Sequence, residues 1–129
     1  MITEFEKGDT MPKFKIKATI ENKDEKKITE AIAIYQDDVI KYKDDDNSTV
    51  IYNYKKRKLT RDNEKIKIEY LFNLENETTG LILIKELNKT ISLSIITKEI
   101  VENNNNIEIE FKLDNDLFKY RIEVVKWVY

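Results

Sequence analysis

Apolar and charged residues alternate with a period of two along most of this chain, as in Phe14-Lys15-Ile16-Lys17-Ala18-Thr19-Ile20 and Ile107-Glu108-Ile109-Glu110-Phe111-Lys112-Leu113. Successive side chains of an extended strand point to opposite faces, so the pattern specifies strands with one face in a core and the other in water. Even the charged stretches keep this period, and no amphipathic helix competes with it.

The alternation predicts strands at 13–22, 27–36, 38–43, 49–55, 57–61, 65–74, 80–87, 89–102, 107–114 and 117–128, with two adjacent pairs open to being single bent strands. Between them stand turn segments such as Asp44-Asp45-Asp46-Asn47-Ser48, Asp62-Asn63-Glu64 and Asp114-Asn115-Asp116. Asn and Asp tolerate left-handed backbone and bond to their own main chain, so they can replace glycine in hairpins. Short links make consecutive strands antiparallel neighbours, and the result is an up-and-down meander. Residues 1–12 read as an irregular lead-in, and 13–129 as a single domain.

A meander with one apolar face must bury that face. Closure into a barrel does so and also removes the exposed edges. The fold expected is therefore all-β, an antiparallel up-and-down closed barrel of eight to ten strands, with a two-sheet sandwich as the alternative. Consecutive apolar residues at Ile95-Ile96 and Val124-Val125 suggest bulges that let long strands bend. The expected lining is Phe14, Ile16, Ile20, Ile32, Ile34, Val50, Tyr52, Ile66, Ile68, Tyr70, Phe72, Leu93, Ile109, Phe111, Tyr120 and Ile122.

Composition narrows the chemistry by exclusion. The 129 residues hold no cysteine and no histidine. Disulfides, thiolate nucleophiles, imidazole bases, Ser-His-Asp and Cys-His arrangements and ordinary zinc sites are all removed, and no cofactor or metal is implied. Lys plus Arg, at 23, nearly balances Asp plus Glu, at 25, with the signs interleaved, which argues against a phosphate-binding field. Neither a signal-peptide pattern nor an apolar run of membrane-spanning length is present, so a cytoplasmic protein without membrane contact is expected.

Three stretches resemble a known family. They are Ile28-Thr29-Glu30-Ala31-Ile32-Ala33-Ile34-Tyr35, with Asp37-Asp38 and Tyr42 beyond it; Leu59-Thr60-Arg61-Asp62-Asn63-Glu64, leading to Phe72; and Thr90-Ile91-Ser92-Leu93-Ser94-Ile95-Ile96-Thr97, ahead of a turn and the strand at 107–113. They are similar to those of the YwiB-like proteins, small lipocalin-like (calycin-like) barrels of low-GC Gram-positive bacteria. This chain differs in carrying Ala31, Asn63 and Lys89 where that family usually has glycine. The resemblance implies a barrel and a bacterial cytoplasmic setting, and no established activity.

Three residues are candidates for ligand contact at the barrel mouth: Glu30, Tyr42 and Arg61. Glu30 faces inward on the register that buries Ile28, Ile32 and Ile34, where an unpaired carboxylate would need a cation or a ligand. The alternative register turns Ala31, Ala33 and Tyr35 inward. Arg61 is one of few arginines in a lysine-rich chain, and its guanidinium can fork onto carboxylates. Lipid-binding barrels of the calycin group often anchor an acid head group with such an arginine. Arg121 alternates with Phe118, Tyr120 and Ile122 and reads as an outward ion pair.

Other features weigh less. Tyr52-Asn53-Tyr54-Lys55-Lys56-Arg57-Lys58 has the ingredients of a single-stranded nucleic-acid platform, yet its tyrosines share the face of Val50. The Asp44 to Ser48 run fails the EF-hand pattern and reads as a polar hairpin loop. Carboxylate pairs for glycoside hydrolysis are non-specific among 25 acids. Trp127, Val125 and Tyr129 could close the core, plug a mouth or form a homodimer contact.

The leading functional expectation is non-catalytic binding of a small, partly apolar ligand inside the barrel, with a cavity on the order of 300 Å³ or more. The alternative is a protein-interaction module with a packed barrel and an exposed apolar patch. Nucleic-acid binding and a carboxylate-based enzyme rank below both.

Overall fold

A computed structural model describes residues 12–103 and 106–127, and in it the alternating segments form ten strands. These are β1 (Lys13–Glu21), β2 (Lys26–Gln36), β3 (Val39–Lys43), β4 (Thr49–Asn53), β5 (Lys58–Asp62), β6 (Ile66–Leu71), β7 (Thr78–Ile84), β8 (Lys89–Asn103), β9 (Asn106–Leu113) and β10 (Asp116–Trp127). Each pairs antiparallel with the next, and β10 pairs with β1, from Lys119 opposite Glu21 to Trp127 opposite Phe14, to close a barrel. Among the described residues, closure leaves no edge strand to template aggregation.

The turns follow from side-chain chemistry. Positive φ occurs at Asp37 (54°), Asp38 (64°), Asn47 (68°), Asn88 (48°) and Asp114 (55°), with Arg57 (53°) the one departure from Asx residues among those described. Asn22, Asn63 and Asn73 each accept two backbone N–H bonds from two and three residues ahead. These Asx turns stand in for glycine turns.

Two bulges bend the long strands. Val124 lies opposite Ile16 and Lys126 opposite Lys15, so Val125 is the extra residue, as the paired valines suggested. The bulge in β8 falls at Lys98, between Thr97 opposite Phe111 and Glu99 opposite Glu110, rather than at Ile95-Ile96. Ile95 is buried while Ile96 faces outward, so the two successive isoleucines reflect an apolar residue on each face.

The interior holds two groups of rings, the first toward the end that carries the 37–38 and 54–57 connections. Phe14, Tyr35, Tyr54 and Tyr52 contact one another in sequence at centroid distances of 6.5, 5.8 and 5.0 Å. From the other side Phe111 contacts Phe72, Phe118 and Tyr70 at 4.9, 5.7 and 5.9 Å. A ten-strand barrel is wider than the eight-strand one that ordinary side chains fill, and aromatic volume occupies the difference.

In β2 the structure reverses the expected face. Thr29, Ala31, Ala33 and Tyr35 point inward, and Ile28 and Ile32 are 45% and 50% exposed. Ile34 shares their outward face. Ala33 and Ala31 lie opposite Phe14 and Ile16, so small side chains complement large ones across the pair. The outward face is also the one that holds Glu30, whose burial would cost several kcal/mol without a partner.

Candidate functional site

The end that carries the 22–25, 44–48 and 63–65 loops leaves a partly open cavity of about 190 Å³. Its apolar wall comes from Ala18, Ile20, Val50, Leu59, Ile68 and Tyr70, and its polar wall from Lys27, Thr29, Tyr42, Asp44, Arg61 and Tyr120. Alternation places each residue: Tyr42 and Asp44 continue the inward phase of Ile40, and Arg61 continues that of Leu59.

Asp44 organises the polar wall, with its side chain only 8% exposed. Its Oδ1 accepts the Thr29 hydroxyl at 2.8 Å and the Asp45 backbone N–H at 2.8 Å. Its Oδ2 takes Arg61 Nη2 at 2.9 Å and faces Lys27 Nζ at 3.6 Å. The same Nη2 donates to Asp46 Oδ2 at 2.7 Å. The Ser48 hydroxyl and backbone N–H, with Arg61, hold the Asp46 carboxyl well below the usual carboxylate range. Asn63 donates to the Ser48 hydroxyl at 2.9 Å and ties this hairpin to the next loop.

Deeper in, the phenol oxygens of Tyr42 and Tyr120 lie 2.6 Å apart, and both residues are 4% exposed. Burial pushes both phenols up, so both keep their protons across the physiological range. Neither can serve as a base near neutral pH, and the pair offers hydrogen bonding.

Of the candidates read from the sequence, Tyr42 and Arg61 meet in this cavity. Glu30 does not: it lies on the exposed outer face of β2, opposite Lys17, which corrects the inward reading. The residue missed was Asp44, read as part of a polar loop. Its signal was the phase Ile40, Tyr42, Asp44, which runs inward one residue past the end of the strand.

Tyr52 is fully buried and Tyr54 packs against the core, so these rings offer no open stacking platform. Arg121 Nε donates to Glu108 at 2.8 Å on the outer surface, as its alternation suggested. The backbone of Trp127 pairs opposite Phe14, whereas Tyr129 lies outside the described residues. A shallower depression of about 690 Å³, lined by polar residues such as Lys43, Asp62, Asn63 and Lys85, lies on the loops outside the barrel. Among the described residues no cluster of three or more acids could hold a metal, and no helix is long and apolar enough to cross a membrane.

Fold and site together define a closed antiparallel barrel, filled in part by rings and carrying an amphipathic pocket at one end. No protein-family model and no curated protein matches the chain. Among solved structures it is similar to the crystal structure of the YwiB protein from Bacillus subtilis, with 15% identity over 87% of this chain and 89% of that one and a TM-score of 0.56. That likeness shows a shared fold, in keeping with the resemblance read from the sequence.

Proposed function

We propose that this chain is a non-catalytic binder of a small, partly apolar molecule, a calycin-like barrel working in a bacterial cytoplasm. One observation carries the reading: a cavity with an apolar wall and an ordered polar wall opens at one end of an otherwise packed barrel. At about 190 Å³ it is smaller than the 300 Å³ expected from the sequence. Apolar cavities of roughly 150 Å³ accept benzene, so the buried part of a ligand is about the size of a substituted benzene ring. Anything longer projects from the mouth.

Native mass spectrometry of the gently purified protein tests this. A stoichiometric small-molecule mass that disappears on denaturation is the expected result. The outward isoleucines Ile28 and Ile32 favour a second reading, an interaction module. A clean, ligand-free dimer in the same spectrum would overturn the first reading in favour of the second.

A further inference from the structure

The charges of the pocket balance one another. Asp44 uses both oxygens on Thr29, the Asp45 N–H and Arg61, with Lys27 beside it. An ammonium entering the cavity would therefore compete for a carboxylate that is already occupied. Arg61 is shared between Asp44 and Asp46, and the two cations, Lys27 and Arg61, face two carboxylates. An incoming anion would lose its hydration without meeting an uncompensated positive charge.

The tyrosine pair is different. Two phenols joined by one hydrogen bond hold two protons, of which the bond uses one. Among the described residues each hydroxyl has only the other as a hydrogen-bond partner, at 2.6 Å. One buried O–H donor is thus left without an acceptor, in the wall of the cavity that both tyrosines line. A buried donor without an acceptor is costly, so a molecule that supplies one gains more than the bond alone.

Resting on the ligand-binding reading above, we infer that the pocket takes a neutral molecule that presents a carbonyl or similar acceptor oxygen to the Tyr42–Tyr120 hydroxyls. Its apolar body lies against Val50, Leu59, Ile68 and Tyr70. Charge neutrality separates this class from fatty or aromatic acids, and the acceptor separates it from hydrocarbons.

Calorimetric titration of the full chain with benzamide, benzoate and toluene tests the assignment, because the three share a ring and differ in charge and acceptor. Benzamide is expected to bind at least tenfold tighter than either of the others. The single variants Tyr42→Phe and Tyr120→Phe each leave one hydroxyl to donate and should keep benzamide affinity within about threefold. The double variant removes both polar atoms while keeping shape, a change that folded proteins tolerate. It should bind benzamide no tighter than toluene.

Benzoate binding as tightly as benzamide, or a double variant that keeps the benzamide preference, would overturn the neutral-acceptor assignment and leave the ligand-binding reading standing. Failure of all three probes to bind would overturn both.

Discussion

Tyr42 and Tyr120 belong to a set of buried tyrosines that bears on the pH range of the fold. Tyr42, Tyr52, Tyr54, Tyr70 and Tyr120 all have phenols pushed up by burial before any other cause. Below about pH 10 the folded and unfolded chains both keep these protons, and the phenols leave stability unchanged. Above it the unfolded chain releases protons that the folded chain retains, so stability falls as pH rises toward the folded values. Urea midpoints are expected to hold steady up to roughly pH 9 and fall steeply beyond about pH 10. Phenolate absorbance from these five tyrosines should rise together with unfolding rather than ahead of it. Tyrosines that ionise in the folded barrel near pH 10 would show that they are solvated. The residue missed at this scale, Asp44, was legible in phase but hidden by its neighbours. Its inward turn depends on Thr29, Lys27 and Arg61 from other strands, and sequence spacing does not reveal such contacts.

At the scale of strands, β6 and β7 meet where Gly80 faces Tyr70. A Cβ at Gly80 would lie 2.9 Å from Tyr70 Cδ1 and 3.0 Å from Ile95 Cδ1, so glycine is required by close approach and not by backbone angle. Because Tyr70 also lines the cavity, the packing of this strand pair sets the shape of the pocket. Gly80→Ala should destabilise by about 1–3 kcal/mol and push the Tyr70 ring out of place. Small-molecule affinity should fall with it; unchanged stability and affinity would show that the ring has room to move. Most of the strands were legible, because a charge on alternate residues left one face to bury. β2 was not. Its faces, Ile28-Ile32-Ile34 with Glu30 and Thr29-Ala31-Ala33-Tyr35, differ little in apolar character. The choice fell to the bulky partners Phe14 and Ile16 across the pair. The β8 bulge moved for a similar reason, since apolar residues on both faces mimic a change of phase.

For the whole molecule, closure and asymmetric filling are the central facts. The meander was readable from period and turn chemistry, and the last-to-first pairing of β10 with β1 makes it a barrel. How much of the interior stays hollow was not readable, because bulky apolar residues suit a plug and a pocket equally well. Rings fill much of the interior, and about 190 Å³ remains at the end that carries the 22–25, 44–48 and 63–65 loops. The measurement that tests this account most directly is methyl NMR of the full chain titrated in parallel with benzamide and toluene. Saturable shifts are expected at Ala18, Ile20, Val50, Leu59 and Ile68, the methyl-bearing aliphatic residues of the cavity wall, with Ile28 and Ile32 on the outer face unmoved. Shifts centred on those outer isoleucines, or no saturable shift with either probe, would contradict a binding pocket at the open end.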